Sequence, residues 1–373
     1  MTISLPVIVV TGAEGFIGQN LVCQLGDKKR FSVRPIVRSS TAAEFVSALQ
    51  DASVVFHLAG VNRPEREDDF KIGNQGFTAE LVNQLEGLKS KPRIIFSSST
   101  KASEISPYGE SKRAAEDKLL AFAARSGAEV LIYRLPNVFG KWSKPNYNSA
   151  VATFCYNVAR GLDIKIFDAA AKIDLLYIDD LIAQWLAMID APVNETGFVE
   201  PLQVYHTDVG VVAKTIQGFA NKREANFVDE VGKGLTRALY ATFVSALPVE
   251  KFVYDLVSHV DPRGAFSEVI KTENCGQFSY FTAHPGVTRG GHYHHSKTEK
   301  FLIVEGQARF RFRHVLTGER LEIVTHSDRP QIVETIPGWA HDLTNIGSTK
   351  LVALLWANEI FDHKLRDTII AEV

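Results

Sequence analysis

The first half of the chain alternates short apolar runs with longer stretches of helical spacing. PVIVVTG (residues 6–12) reads as a strand, and GFIGQNLVCQLG (15–26) continues it as a helix. SVRPIVR (32–38) and SVVFHLAG (53–60) are further strands, followed by a helix over FTAELVNQLEGL (77–88). RIIFSSS (93–99) is a strand, YGESKRAAEDKLLAFAARSG (108–127) a long helix, and EVLIYRLPNVFG (129–140) another strand. Strands and helices at this rhythm predict an α/β architecture, a doubly wound parallel sheet covered on both faces. A more irregular segment follows, in which FDAAAKIDLLYIDDLIAQWLAMI (167–189) predicts a strand, a turn and a helix.

After Leu247 the texture changes. FSEVIK, FSYFTA, KFLIVEG, ARFRFRHV, LEIVT, QIVETIP and KLVALLW are short, β-rich and separated by turn residues, with weak helical periodicity. That pattern predicts an all-β sandwich or small barrel. SALPVEKFVYDLVSHVD (245–261) bridges the two textures, so the boundary falls near Pro248, giving domains of residues 1–247 and 248–373. A chain of 373 residues suits two cores better than one.

Composition narrows the picture. Hydrophobic content of 45% with 23% charged residues is that of globular proteins. A net charge of −2 and no long Lys/Arg run predict no nucleic-acid partner. Cys23, Cys155 and Cys275 are odd in number, far apart and without a CxxC, which suits a reducing compartment. The opening MTISLPVIVVTG lacks a signal-peptide pattern, and no apolar run reaches the roughly 20 residues that span a bilayer. The expectation is a cytoplasmic protein with no membrane partner.

Two motifs in the first half carry chemistry. Gly12, Gly15 and Gly18 in TGAEGFIG follow a predicted strand and open a helix. Glycines there permit a tight turn and close backbone approach, while the helix N-terminus offers amide donors to a pyrophosphate. The second strand ends at IVRSS, where NAD-preferring folds place an acidic residue; Arg38, with Ser39 and Ser40, instead matches a 2′-phosphate, so NADPH is expected. Tyr108 and Lys112 in PYGESK are four residues apart, on one helix face. A nearby ammonium stabilises a phenolate and so makes tyrosine usable as an acid–base group. RIIFSSST adds a hydroxyl to polarise a carbonyl: Ser99 first, with Ser98 or Thr100 as alternatives, and strand-end capping as the non-catalytic explanation.

These residues resemble the nucleotide-sugar branch of the extended short-chain dehydrogenase/reductase family. Further matches are HLAG (57–60), Asn74, RLPNVFG (134–140) and YIDD (177–180), so the likeness covers about residues 5–245. It implies a Rossmann-like domain in which Phe16, Ile17, Ser39, Leu58, Ala59 and Gly60 join the glycines and Arg38 around the cofactor, and Asn137 faces substrate. Two departures stand out. The stretch from Arg38 to Asp51 leaves little room for the usual third strand, and the gap from Ser99 to Tyr108 is tight.

In the second half, GVTRGGHYHHSKTEKFLIVEG (286–306) gathers three histidines and, close behind them, Glu299. Gly286, five residues, His292-x-His294, four residues, Glu299, six residues, Gly306 is similar to the first cupin motif, and IPGWAHDLTN (336–345) to the second, with Pro337, Gly338, His341 and Asn345. The second motif lacks the usual residue between its proline and glycine. The fold implied is an all-β cupin, a double-stranded β-helix. His292 and His294 alternate along a strand and so share a face, and Glu299 returns on the next. With His341 they form a divalent metal set, zinc by first choice, although iron, manganese and nickel accept the same ligands. His295 points the other way and is not a ligand. DPRGAFSE (261–268) and GQFSYFTAHPGVTRGGH (276–292) also look like the nucleotide-sugar 3,5-epimerases, themselves cupins. That likeness implies that Arg289 contacts a diphosphate and that His292 is a base. The base role conflicts with ligation, and ligation is favoured.

Taken whole, with KWSKPNYNSAVATFCYNVARG (141–161) and WANEIFD (356–362), the chain resembles the bifunctional capsular-polysaccharide and O-antigen enzymes of the capsular assembling protein F family. The resemblance implies that the cupin inverts carbon 3 of a UDP-2-acetamido-2,6-dideoxy-4-hexulose. The reductase domain then reduces carbon 4 with NADPH to the L-talo product, on the route to UDP-N-acetyl-L-fucosamine. Tyr108 would donate the proton, Lys112 hold the ribose and tune Tyr108, and Ser99 orient the oxygen. Asn146, in KPNYNS, would bind sugar or diphosphate unless that stretch is a plain surface loop, and the assembly would be a homodimer. Two rivals are an NAD-dependent dehydratase or epimerase, against which Arg38 counts, and a non-catalytic sensor, against which the complete Ser-Tyr-Lys set counts.

Overall fold

Five of the expected strands, β1 (Val7–Thr11), β2 (Ser32–Ile36), β3 (Ala52–His57), β4 (Arg93–Ser99) and β5 (Val130–Leu135), lie parallel in one sheet. The computed structural model describes residues 5–89, 91–192, 196–248, 251, 257–294, 299–315, 318–335, 339–357, 359–361 and 368–373. Ile8, Val9 and Val10 are all fully buried, as expected of a strand covered on both faces. The helices pack over them, and one continuous core runs from Phe45 and Leu49 through Val55, Ile94 and Leu119 to Ile132.

After β2 the chain enters the helix Ala42–Leu49, started by a capping box between Thr41 and Glu44, and passes directly to β3. There is no room for another strand beyond β2. Adding β6 (Asn137–Phe139), β7 (Lys172–Tyr177), β8 (Gly197–Phe198) and β9 (Tyr205–Asp208), the order of the main sheet is β2-β1-β3-β4-β5-β8, with β6-β7-β9 as a small separate sheet. The chain winds one way from β1 to β2 and the other way from β3 onward. That switch opens a crevice at the carboxyl ends of β1 and β3. β7 runs straight into the helix Ile178–Asp190, without the turn the sequence suggested.

The second half is antiparallel β structure: β10 (Ser258–Asp261), β11 (Gly264–Thr272), β12 (Gly276–Ala283), β13 (Thr288–Tyr293), β14 (Glu299–Glu305), β15 (Gln307–His314), β16 (Arg320–His326), β17 (Ile332–Thr335), β18 (Trp339–Asn345), β19 (Leu351–Ala357) and β20 (Ile369–Ile370). They form two sheets, β10-β11-β12-β19-β14-β17 and β16-β15-β18-β13-β20. Phe281, Phe301 and Ala353 of the first and Phe310, Phe312 and Leu343 of the second share one buried cluster, so the sheets close on each other as a cupin. Pro337, Gly338 and His295 lie outside the described residues.

The chain divides into two compact units: Met1–Ile216 with Ala241–Ala246, and Gln217–Tyr240 with Leu247–Val373. Relative to a simple cut at Pro248, the segment 217–240 changes sides. Its Asn226–Val228 stretch is tied to β11 by Lys271 N–H to Asn226 O at 2.7 Å and Val228 N–H to Lys271 O at 2.8 Å. Among the described residues no helix is long and apolar enough to cross a membrane.

Candidate functional sites

The glycine-rich loop is shaped by contacts that exclude side chains. Gly12 has φ +67°, and a Cβ there would lie 2.7 Å from Ala59 N; a Cβ on Gly18 would lie 2.2 Å from Gly12 O. Gly15 N-caps the helix Phe16–Asp27 without a side-chain cap, leaving its first amides for a ligand. The loop facing it, Leu58–Gly60, is fixed by a buried network. Thr11 Oγ1 accepts from Leu58 N and Ala59 N, both at 3.2 Å, so its proton goes to His57 Nδ1 at 3.0 Å. Thr78 Oγ1 donates to Asn74 O and therefore accepts from His57 Nε2 at 2.9 Å. His57 is thus a neutral Nε2–H tautomer, and burial, followed by the charge of Lys112, pushes its pKa down to about 3. Asn74 completes the support, bonding Val61 N, Val61 O and Ser111 Oγ.

Above this loop lies a cleft of about 740 Å³ into which the helix Pro107–Ser126 projects Tyr108 and Lys112. Ser106 caps that helix and Pro107 starts it. Lys112 is buried; its Nζ donates to Ser97 O at 2.8 Å and lies 4.9 Å from the Phe96 ring centre. Burial pulls its pKa down to about 8, partly opposed by Glu116. Burial raises the pKa of Tyr108, and a hydrogen bond with Ser99 acts the other way. The serines divide: Ser98 donates to the buried carboxylate of Glu116, which Arg134 Nη2 also grips at 2.6 Å, whereas Ser99 meets Tyr108. Ser99 also accepts from Lys101 N at 3.2 Å, so it caps its strand end as well.

Gly15, Phe16, Ile17, Leu58, Gly60 and Asn137 all line the cleft. Arg38 and Ser39 are exposed just past the carboxyl end of β2. Asn146 is not among the residues that line the cleft. Its φ is +55° and its backbone N–H donates to Thr153 Oγ1, while Lys144, Tyr147 and Asn148 of the same loop line the cleft instead. Tyr147 OH donates to Asn62 Oδ1 at 2.8 Å, with Arg63 and Lys144 about its ring at 5.6 and 5.5 Å. The alternation of KPNYNS could have suggested Tyr147, but Asn62 carries no local signal.

In the second unit, His292, His294, Glu299 and His341 present ligand atoms all within 4.8 Å of one another. A one-residue register shift between Gly290 and His292 brings His292 opposite His341 across β13 and β18. Gly290 makes it possible: its φ is +106°, and a Cβ would lie 2.9 Å from Asp342 Cα. Glu299 Oε2 is 3.4 Å from His294 Nε2 and 3.5 Å from His341 Nε2. Metal bonds of about 2.0–2.2 Å set neighbouring donors on a tetrahedron roughly 3.4 Å apart, so these separations fit a divalent ion. The His341 Nε2 atom is buried without a hydrogen-bond partner among the described residues, which is the state of a nitrogen meant for a cation.

The donors open into a barrel cavity of about 520 Å³ that also exposes Asp261, Arg263, Phe281 and Arg289. Arg263 bonds Asp261 through Nη2 at 2.5 Å and holds its carboxyl down at about 2. Arg289 lies over Phe281, its pKa lowered by burial and by Arg263. Arg263 escaped the sequence reading, although DPRG contains it. Asn345 serves structure, donating to Ala283 O at 3.0 Å and Thr349 O at 2.8 Å.

Comparison with known proteins agrees with both halves. Residues 8–199 match the NAD dependent epimerase/dehydratase family, and residues 259–369 match the polysaccharide biosynthesis C-terminal domain. A UDP-glucuronic acid 4-epimerase from Bacillus cereus, solved with NAD, shares the first fold over 64% of this chain (TM-score 0.56, 18% identity). Over the whole length, the crystal structure of capsular polysaccharide assembling protein CapF from Staphylococcus aureus superposes with TM-score 0.91. It covers 98% of this chain and 100% of that one, at 39% identity. UDP-2-acetamido-2,6-beta-L-arabino-hexul-4-ose reductase from Pseudomonas aeruginosa is 47% identical over 366 residues, 98% of each chain. The chain therefore belongs to the NAD dependent epimerase/dehydratase family and, within it, to the capsular polysaccharide assembling protein F group, in which a Rossmann-type reductase and a cupin share one polypeptide.

Proposed function

We propose that the chain is a bifunctional UDP-sugar enzyme. Its cupin epimerises carbon 3 of a UDP-2-acetamido-2,6-dideoxy-4-hexulose, and its first unit reduces carbon 4 with NADPH, giving UDP-2-acetamido-2,6-dideoxy-L-talose. The observation that carries this is the meeting of Ser99, Tyr108 and Lys112 beside a glycine-rich loop, in a chain that also gathers three histidines and a glutamate in a barrel. A keto group links the two reactions: it acidifies the neighbouring carbon, and it is the group reduced.

Bound in the cleft, a dihydronicotinamide supplies the hydride. Tyr108 enters the reaction protonated, as its burial favours, and gives that proton to the oxygen developing at carbon 4. Its phenolate is then stabilised by the Lys112 ammonium one helical turn away and by Ser99. Arg38 pairs with the 2′-phosphate, Asn137 faces the sugar, and Lys144 with Tyr147 takes the place expected of Asn146 at the cleft rim. In the cupin, a divalent ion, zinc by preference, would supply a Lewis acid for the keto oxygen. His292, His294, Glu299 and His341 hold it, and Arg289 with Arg263 receives the diphosphate. The crowding of His292 among the other donors, 4.7 Å from His341 ring to ring, supports ligation over service as a free base.

We place the enzyme in the cytoplasm, where NADPH is supplied, as a homodimer paired through cupin edges. Exposed Leu321 and Val324 on the edge strand β16 support that pairing. The test is direct: supply the 4-keto sugar nucleotide, follow NADPH absorbance, and follow deuterium uptake at carbon 3 in heavy water. Absence of NADPH consumption would sink the reductase half, and absence of uptake the epimerase half.

A further inference from the structure

Trp142 has φ +66°, a left-handed conformation that bulky side chains rarely adopt. It occupies the third position of a turn from Gly140 to Ser143, closed by Ser143 N–H to Gly140 O at 3.3 Å, where a positive φ favours glycine. The conformation is imposed through its neighbour. Lys141 O accepts from Nδ2 of the buried Asn20 at 3.2 Å. Lys141 Nζ pairs with Asp179, whose Oδ1 also accepts from Gln24 Nε2 at 2.7 Å. The turn is thereby fastened to the helices Phe16–Asp27 and Ile178–Asp190.

The strain places an indole on the wall of the cleft. Trp142 lines it beside Glu14, Gly15 and Phe16, and also walls a neighbouring hollow with Ala13, Gln19 and Val37. Trp142 is still 53% exposed, so packing within the fold, where the Lys141 ammonium lies 5.4 Å from the ring centre, leaves much of a large apolar group uncovered where glycine fits best. Strain retained at a cleft is characteristic of binding sites.

We propose that Trp142 is a cofactor-binding residue: its indole closes the outer side of the glycine-rich loop over the bound dinucleotide. This rests on the reading of the cleft as the NADPH site. Excluding water there strengthens the bonds between the helix amides and the pyrophosphate, because the local dielectric falls. Trp142 acts on cofactor affinity, so its loss raises KM for NADPH far more than it lowers kcat.

Three variants of the full chain separate wall from strain. Trp142→Ala removes the ring and keeps the strain, Trp142→Gly removes both, and Trp142→Phe keeps a ring. By titration calorimetry, the Kd for NADPH is expected to rise about tenfold in the Ala and Gly variants and to stay within about threefold of wild type in Trp142→Phe. In thermal melts, Trp142→Gly should unfold above Trp142→Ala, since only glycine takes this φ without strain. Should the Ala variant fail to fold, the Gly and Phe variants carry the affinity comparison and the Gly and wild-type melts the stability one. Wild-type protein that binds NADPH no better than Trp142→Gly overturns the assignment and leaves the cleft reading intact. A Trp142→Gly variant no more stable than Trp142→Ala overturns it too, by removing the strain. Wild-type protein that binds no NADPH overturns the cleft reading, and the assignment falls with it.

Discussion

Burial draws the Lys112 ammonium from its ordinary 10.5 down to about 8, and Glu116 limits the fall. Between these values the unfolded chain holds a proton that the folded one has released, so stability of the cofactor-free protein rises with pH across that window. Below about 8 the whole cost is felt, on the order of 3 kcal/mol. Under the proposed mechanism catalysis runs the opposite way, because there the ammonium stabilises the Tyr108 phenolate: kcat/KM for reduction should fall as pH rises through about 8. Urea melts from neutral pH to pH 10.5 should show the stability trend in wild type and a flatter one in Lys112→Met, and a flat wild-type profile would contradict it. Tyr108→Phe should lower NADPH turnover by about 100- to 10,000-fold while leaving NADPH binding nearly unchanged, and near-normal turnover would end the assignment. The pair was legible because a spacing of four on a helix has one geometric meaning. The choice among Ser98, Ser99 and Thr100 was not, since it depends on which strand face meets Glu116, a residue in another element. His57 was visible only as part of HLAG; its place between Thr11 and Thr78 needs the parallel register of β1 and β3.

At the scale of elements, the short run from Arg38 to Asp51 said that a strand would be missing, and β2 is indeed the edge of the sheet. The histidine spacing announced that His292 and His294 would come together, although β13 ends at Tyr293 and His294 follows it rather than sharing the strand. It could not announce the shift between Gly290 and His292, because a bulge depends on the partner strand as much as on its own sequence. The placing of Asn146 was not legible for a related reason: its positive φ turns the loop, and its neighbours on either side, Lys144 and Tyr147, line the cleft. The bulge gives a prediction. A Cβ at Gly290 would press on Asp342 Cα and His341 O, each at 2.9 Å, from a φ of +106°. Gly290→Ala should push β13 from β18, spread the donor set and cost roughly 1–3 kcal/mol in strain. Metal content by elemental analysis should drop and the thermal midpoint fall. Full occupancy with an unchanged midpoint would show that β13 tolerates the side chain.

At the scale of the molecule, the proposed function asks one keto sugar to serve two sites with different chemistry, and that division of labour can be tested by disabling one. His294 and Glu299 supply two of the four donors, one just after β13 and one opening β14. His294→Ala combined with Glu299→Ala leaves too few ligands for tight divalent binding, so purified protein should carry little metal. Deuterium uptake at carbon 3 should then fall sharply, because nothing remains to polarise the keto oxygen as its neighbour loses a proton. The reductase cleft draws its glycine loop, its acid and its lysine from the first unit, so NADPH should bind with wild-type affinity. Supplied with a sugar nucleotide already inverted at carbon 3, the variant should consume NADPH; supplied with the uninverted one, it should not accumulate the L-talo product. A folded variant that has lost its metal yet still exchanges the carbon 3 proton would make the ion structural and leave His292, His295 and Lys300 as the candidates for the base. Wild-type protein that carries no metal at all would free His292 for that role outright, and the epimerase half would then run on a protein base alone.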